Sequence, residues 1–249
     1  MAVEPIPGAP AAVADLGAER ALVIADYHAG IEAVLRSDGV ELDGRGDARR
    51  DRLRRLLGET EPDRLVVLGD FVHAIGDPWE VERTELAAMF DAIGVPVTLV
   101  KGNHDGEIEE FLAEGGFDVT VTPSDGIRLG DVGFAHGHTW PAQSVLEAPV
   151  VCVGHEHPVV KLQDEVGGTR KERVWLRGRL HPQVFRDHYG EPLDIDGELV
   201  VFPPFNDLSG GTWVNVEGQG FLSPFLPDGL GDGTVYLLDG TRLGHYEQV

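Results

Sequence analysis

Seven of the ten histidines, His28, His73, His104, His136, His138, His155 and His157, follow closely on short apolar runs, and Asp26, Asp70 and Asn103 stand in the same kind of place. Imidazole nitrogens with carboxylate oxygens suit Mn, Fe or Zn, whereas an all-oxygen cage for Ca or Mg is not what these residues offer. The pattern centres on Arg64 to His73, reading Arg-Leu-Val-Val-Leu-Gly-Asp-Phe-Val-His. Residues 65 to 68 form an apolar run with two β-branched members, which predicts a strand buried on both faces. Gly69 frees the backbone, and Asp70 arrives at the strand's carboxyl end, the edge of an open α/β sheet where ligands sit. A carboxylate has two oxygens and can bind two cations at once. Asp70 is therefore the candidate shared ligand of a two-metal centre.

Five apolar runs end in this way. Residues 21–25 lead to Asp26-Tyr27-His28, 65–68 to Gly69-Asp70, 97–100 to Lys101-Gly102-Asn103-His104-Asp105, 132–135 to His136-Gly137-His138, and 150–153 to Gly154-His155-Glu156-His157. Such a repetition places polar ligands around one edge of a sheet. Helices are predicted between the runs: one carries Ile31, Val34 and Leu35, a second spans about 47–57 with Leu53, Leu56 and Leu57 on one face. Leu86, Met89, Phe90 and Ile93 mark a third, ended by Gly94 and Pro96, and Ile108, Phe111 and Leu112 a short fourth. The first 20 residues, rich in Pro and Ala, predict a lead-in segment with one edge strand. Past Pro158, short strands are predicted at 159–162, 174–176, 199–202, 213–216 and 235–238, with Asp239-Gly240 as a two-residue hairpin turn. No low-complexity linker divides the chain. One domain over 1–249 is expected, its part 159–249 completing a second sheet packed on the first.

Composition narrows the setting. No apolar stretch approaches the roughly 18 residues of a membrane span, and the start has neither the basic region nor the apolar core of a secretory signal. A cytoplasmic protein with no membrane partner is expected. The single cysteine, Cys152, lies within an apolar run and reads as a buried structural thiol. The net charge is −23, from 43 acids against 20 bases, of which only Lys101, Lys161 and Lys171 are lysines. Acid excess with arginine in place of lysine is the pattern of salt-accumulating organisms such as halophilic archaea, where molar salt shortens the Debye length to about 3 Å and screens self-repulsion. This charge disfavours loose binding to nucleic acid and leaves a local basic site open. Two stretches qualify: Arg45, Arg49, Arg50, Arg52, Arg54 and Arg55 in one, and Arg170, Lys171, Arg173, Arg177 and Arg179 in the other.

Taken in order, Asp26-x-His28, Gly69-Asp70, Gly102-Asn103-His104-Asp105, His136-Gly137 and Gly154-His155-x-His157 resemble the five motifs of the calcineurin-like metallophosphoesterases. The resemblance implies an α/β fold, a four-layer αββα sandwich of two mixed β-sheets flanked by helices. It implies two divalent metal ions, Mn²⁺ foremost with Fe, Zn or Ni as alternatives. Asp26, His28, Asp70 and His157 would hold one, and Asp70, Asn103, His136 and His155 the other. Two cations about 3.5 to 4 Å apart can share an attacking hydroxide, lower its pKa and stabilise the attacking and leaving oxygens. His104 would face the phosphate as proton donor or transition-state stabiliser, with Asp105 orienting it. His73 resembles a histidine that follows the second motif in nuclease branches and joins the catalytic set.

A closer likeness takes in Leu35-Arg36-Ser37-Asp38-Gly39, Gly69-Asp70-Phe71-Val72-His73, Gly154 to Pro158, and the late Pro203-Pro204-Phe205-Asn206 with Gly210-Gly211. It is similar to the archaeal phosphoesterases related to the nuclease subunit SbcD and to the bacterial ligase-associated DNA damage response endonucleases. Tyr27 stands where those carry an aliphatic residue and is expected to tune the pocket. The likeness implies hydrolysis of phosphodiester bonds in nucleic acid, in DNA repair and beside a repair protein. One alternative is a phosphodiesterase or phosphatase for a small nucleotide, since no capping domain is evident to hold a duplex; another is a non-catalytic scaffold for protein binding. On the nuclease reading, Arg173, Arg177 and Arg179 would hold flanking phosphates by paired guanidinium contacts.

Overall fold

The computed structural model describes residues 2–163 and 167–249. Six strands make the first sheet, in the order β1 (Val3–Pro5), β2 (Ala11–Asp15), β3 (Arg20–Ala25), β4 (Arg64–Leu68), β5 (Val97–Val100) and β6 (Val119–Thr122). From β3 to β6 neighbours run parallel, so the carboxyl ends of these strands meet at one edge. Side chains alternate between faces along a strand, and here both faces are covered. Leu22, Ile24, Leu65 and Val67 point to one core, while Val23, Ala25, Val66 and Leu68 point to another. That is why these strands read as unbroken apolar runs.

The first core is closed by helices on the sheet's outer face. Leu53 and Leu56 come from α2 (Gly46–Thr60), which follows α1 (Ile31–Ser37); Leu86 and Met89 come from α3 (Glu80–Phe90); Ile108, Phe111 and Leu112 come from α4 (Ile108–Gly115). The second sheet contains β7 (Ile127–Leu129), β8 (Val132–Ala135), β9 (Val150–Val153), β10 (Val159–Gln163), β11 (Thr169–Leu180), β12 (Glu198–Val201), β13 (Leu230–Leu237) and β14 (Arg242–His245). Their spatial order is β14-β13-β11-β12-β9-β8-β7, with β10 beside β11. Phe134, Cys152, Trp175, Val200 and Phe202 of this sheet meet Val23, Ala25, Val66 and Leu68 of the first in a shared middle core. The thiol of Cys152 lies wholly inside it, and burial pushes its pKa up. Val145 and Leu146 of α5 (Gln143–Leu146) and Phe185 of α6 (Pro182–Tyr189) cover the outer face. The layers are helix, sheet, sheet, helix. Among the described residues no helix is long and apolar enough to cross a membrane.

β6 and β7 form at segments for which the sequence predicted no strand, and the strands differ from expectation in two further places. The lead-in segment supplies two strands, because Ala11, Ala12 and Ala14 are small enough to pack flat against β3 and are fully buried there, although alanine is a poor strand former. Residues 213–216 do not form a strand; Trp213 makes only an isolated bridge to Val159.

Arg49, one of the bases that the sequence offers as a local basic site, is not available to an outside anion. It is buried on α2, with Nη1 2.6 Å from Glu32 Oε1 and Nη2 2.7 Å from Glu85 Oε1. Glu85 also accepts the Gly30 N–H at 3.0 Å, which ties the ion cluster to the loop after β3. Burial opposes ionisation of Glu32, but hydrogen bonding and charge from Arg49 outweigh it and hold the carboxyl below its usual range. Arg49→Met is expected to lower unfolding free energy by about 3 to 5 kcal/mol at neutral pH, because two carboxylates then face each other without a cation. A depressed carboxyl contributes stability that is present above its unfolded pKa, about 4.3, and is lost as pH falls through the folded value. Denaturant melts at both pH values check this, and the variant's deficit should shrink in acid.

Candidate metal centre

Each chemistry-bearing residue sits where a strand stops. Asp26 follows β3, Asp70 follows β4, Asn103 follows β5, His136 follows β8 and His155 follows β9. Among the described residues seven non-glycines have positive φ, and five of them are Asp26 (54°), His28 (49°), Asp70 (49°), His155 (68°) and His157 (45°). L-residues reach this region at a cost, and such positions concentrate where a surrounding structure needs a side chain aimed in one direction. Glycine permits the crowding. A Cβ on Gly69 would come within 2.2 Å of His136 Nδ1, and one on Gly102 within 2.3 Å of the Asp70 backbone nitrogen and Oδ1.

Three donor groups result, with ligand atoms in each lying within 4.8 Å of one another: Asp26, His28, Asp70 and His157 form one, Asp70, His136 and His155 a second, and His28, His73 and His104 a third that lacks a carboxylate. His157 Nε2 is 3.4 Å from Asp26 Oδ1 and 3.3 Å from His28 Nε2. His136 Nε2 is 3.4 Å from Asp70 Oδ1 and 3.1 Å from Asn103 Oδ1, which brings Asn103 to the second group. Asp70 belongs to the first two. The tautomer of His136 is set by the first sheet: its Nδ1 lies 2.8 Å from the Leu68 carbonyl and must donate, leaving Nε2 for the site.

Electrostatics test whether cations fit. Asp26 and Asp70 are buried, and among the described residues their only ionic neighbours are imidazoles. Burial opposes ionisation of both, yet His157 and His136 around Asp26, and His136, His28 and His104 around Asp70, hold both carboxyls below the usual range. Burial also opposes a charge on His136, but Asp70 and then Asp26 raise it to about 9. Burial pushes His28 down to about 3, and burial followed by the charge of His136 pushes His155 down to about 4; both are thereby kept neutral with a lone pair. Two buried carboxylates, the neutral imidazoles of His28 and His155 and an amide oxygen form a donor set that divalent cations satisfy.

His104 and His73 complete the floor. The Nδ1 of His104 lies 2.5 Å from the His73 carbonyl and donates to it, so Nε2 is the atom left for the pocket, 3.9 Å from Asp70 Oδ2. His73 stacks on His104 with centroids 5.3 Å apart, and its Nδ1 is 3.2 Å from His28 Nδ1. Asp105 does not orient His104, contrary to expectation. It is fully buried and accepts the N–H groups of Phe71 (2.8 Å), Val72 (3.3 Å) and Gly102 (2.9 Å), locking the loop after β4 to the loop after β5. Burial and then Asp70 push its carboxyl up to about 6. Two further buried acids clamp in the same way, Glu82 outside any motif and Glu156 at the unspecified position of the Gly154 to His157 motif. Glu82 accepts from His73, Ala74 and Trp79, and Glu156 from Leu222 and Ser223. Asn206 pins the late loop onto the loop after β3 through the carbonyls of Tyr27 and His28; the Pro203 to Asn206 motif is its signal. Tyr27 does not shape the pocket, because its ring stacks on Phe205 and meets Phe71 edge-on inside the helix-side core.

The arginines of β11 separate. Arg173 donates to the Pro204 carbonyl at 3.0 Å, beside the late loop. Arg177 is bound to Glu198 at 2.7 Å and lines a crevice with Pro5, Pro7 and Tyr236, and exposed Arg179 lies 3.4 Å from Asp196. Neither lines the pocket of the His and Asp residues. Strand direction explains this, as β11 carries these two away from the ligand edge.

A double-sheet sandwich with this edge of Asp, Asn and His defines a metal-dependent phosphoester hydrolase. The family model of the calcineurin-like phosphoesterases matches residues 19–240, and the chain belongs to that family. Among solved structures the chain is similar to the nuclease MPE of Pseudomonas putida, at TM-score 0.59 and 21% identity over 97% of this chain and 100% of that one. It also aligns with Yfce, a phosphoesterase from E. coli, at TM-score 0.38 and 17% identity over 90% of this chain and 96% of that one. A comparison with curated proteins found no match.

Proposed function

We propose that the pocket hydrolyses phosphodiester bonds in nucleic acid. The observation that carries the reading is the contrast between two sides of a cavity of ≈ 350 Å³: Asp70, Asn103 and histidines on one, and Leu35, Leu208 and Leu222, the last 59% exposed, on the other, with buried Ile31 beneath. A floor that would hold two cations suits a phosphate, and apolar walls suit the sugars and bases on either side of it. The P. putida nuclease uses the same fold, which makes the assignment compatible with the scaffold. Asp26, His28, Asp70 and His157 would hold one divalent ion, and Asp70, Asn103, His136 and His155 a second. When bound, the ions supply Lewis acidity and a water of lowered pKa. His104 presents Nε2 to the leaving oxygen and delivers a proton from its doubly protonated form, while the His73 carbonyl fixes the ring.

A small nucleotide is the second reading, favoured by the net charge of −23, which opposes a polyanion at long range. With Mn²⁺ in high-KCl buffer, hydrolysis of a phosphomonoester, a phosphodiester, a cyclic nucleotide and single-stranded DNA separates the two. Cleavage of the DNA and the diester is expected; turnover of only the monoester or the cyclic nucleotide would move the assignment to the small substrate. We further read residues 1–249 as one domain, on the strength of the middle core shared by both sheets. The same reading puts Mn²⁺ ahead of Fe, Zn and Ni, and a DNA-repair partner in the cytoplasm of a salt-accumulating archaeon, supported by the acid excess.

A further inference from the structure

The two basic stretches, far apart in sequence, converge on one loop. From α2, Arg45 reaches Asp207 at 3.2 Å and Arg52 donates to the Phe205 carbonyl at 3.1 Å. From β11, Arg173 donates to the Pro204 carbonyl at 3.0 Å, and Lys171 lies over the Trp213 ring at 5.6 Å. The loop they surround divides two cavities. Ser209 and Gly210 line the metal pocket on one side and, on the other, a cavity of ≈ 230 Å³ with Lys171, Arg173 and Asp207. Nothing roofs the wall at Gly210, where an added Cβ would meet no atom within 4 Å.

The charge balance here runs against the rest of the chain. The two acids on the second cavity are already engaged, Asp207 with Arg45 and Glu172 with Arg170 at 3.4 Å. Among the described residues, Arg52, Lys161, Lys171 and Arg173 have no carboxylate in ion-pair contact. Arg173 is half-buried, and burial followed by the charge of Arg52 lowers its pKa. Two of the chain's three lysines, Lys161 and Lys171, stand directly opposite each other across the β10–β11 pair. Directly opposed like charges weaken a strand pair. Residues two apart share a face, so Arg173 joins the same side. In a chain with 43 acids, such a row of cations without a carboxylate in ion-pair contact is open to an anion from outside.

We propose that Lys161, Lys171, Arg173 and Arg52 form a track for the backbone of a single-stranded polynucleotide, which leaves the metal pocket over Ser209 and Gly210 and runs along the β10–β11 hairpin. The track rests on the nucleic-acid reading of the metal pocket. The track would hold phosphates flanking the one at the metals, and it gives a chain of −23 a local basic lane for a polyanion. Arg52 and Arg173 spend donors on loop carbonyls and so hold the lane in place. Lys161 and Lys171 reach solvent and supply its mobile charge.

The test uses the metal-loaded full chain and phosphorothioate oligothymidylate as a slowly cleaved probe, with fluorescence anisotropy across a KCl series. Lys161→Gln/Lys171→Gln is expected to weaken dodecamer binding at low salt by about 10-fold and to reduce the salt slope of log affinity by about 1.4, at about 0.7 for each phosphate that is no longer neutralised. The fold-change should be larger for the dodecamer than for a dinucleotide. Arg20→Gln/Arg242→Gln alters net charge equally, away from the track, and is expected to bind as wild type. Equal weakening in both double variants would reduce the effect to net charge and overturn the track. So would wild-type affinity and slope in the lysine variant, while cleavage of the unmodified DNA by wild type would leave the nuclease reading standing. A wild type that hydrolyses a dinucleotide yet neither binds nor cleaves the dodecamer would overturn that reading, and the track with it.

Discussion

Asp70→Asn is expected to lower metal content at both of the donor groups that contain it, and with it hydrolysis of every phosphoester substrate. The side chain belongs to both groups, and its two oxygens face different partners: Oδ1 is 3.4 Å from His136 Nε2, Oδ2 is 3.8 Å from His28 Nε2. An amide keeps the size and one acceptor oxygen but loses the negative charge and turns the second acceptor into a donor. Loss of a partner that merely orients a metal ligand lowers affinity or activity by about 10- to 100-fold, so removal of a shared ligand should exceed that. His28→Ala provides the contrast, because His28 belongs to only one of the groups that contain Asp70 and should chiefly empty that one. Metal content by mass spectrometry of the purified variants decides between them. Loss of a single equivalent from Asp70→Asn would show that Asp70 serves one ion.

Much of this edge is legible in sequence because it is local. A buried strand in a covered sheet must be apolar, and the residue that ends it stands at the sheet's edge, so Asp26, Asp70, Asn103, His136 and His155 can be marked one strand at a time. What cannot be read locally is which acids stay bare. Asp70 and Asp105 both follow a strand within a Gly-containing turn, yet Asp70 meets three imidazoles while Asp105 is saturated by three backbone N–H groups. That difference depends on how the loops after β4 and β5 meet. Arg49 poses the same problem: its arginine-rich stretch reads as an open basic face, and only the arrival of Glu32 from α1 and Glu85 from α3 makes its burial tolerable. The convergence of Arg52 and Arg173 is set by a loop 153 residues from the one and 31 from the other, beyond any periodicity. Alanine-rich β2 is hidden for the opposite reason, since its partner β3 supplies the stability that its own residues do not.

The buried acids also divide the labour at the site. Glu82, Asp105 and Glu156 are carboxylates that spend their acceptor capacity on backbone N–H groups, which join loops from different strands without placing a side chain in the pocket. Asp26 and Asp70 each accept a backbone N–H as well, from His155 and His104, but keep oxygens turned to the imidazoles. The clamps hold the ligand residues in their strained conformations. Within the site the strain falls on residues whose direction matters, as the positive φ angles of Asp26, His28, Asp70, His155 and His157 show.

His104→Ala is expected to retain full metal content and to lose about 10² to 10⁴ in turnover, the range of positioned general acid catalysis. Its ring belongs to neither donor group that holds Asp70, and its Nδ1 is committed to the His73 carbonyl, so only Nε2 addresses the substrate. A proton donor matters most when the leaving oxygen is basic. The defect should therefore be near its full size for a nucleotide diester, whose leaving group is a sugar alkoxide, and much smaller for an aryl diester with an acidic phenol. A role confined to holding the ground-state phosphate would depress both substrates alike and would appear in KM. His104→Asn controls for structure, since the amide N–H can still reach toward the His73 carbonyl but nothing replaces Nε2; it should be as slow as the alanine variant and as stable as wild type. A near-normal rate in either variant, or equal defects on the two leaving groups, would remove the proton-donor role and leave His104 as a spacer between His73 and Asp70.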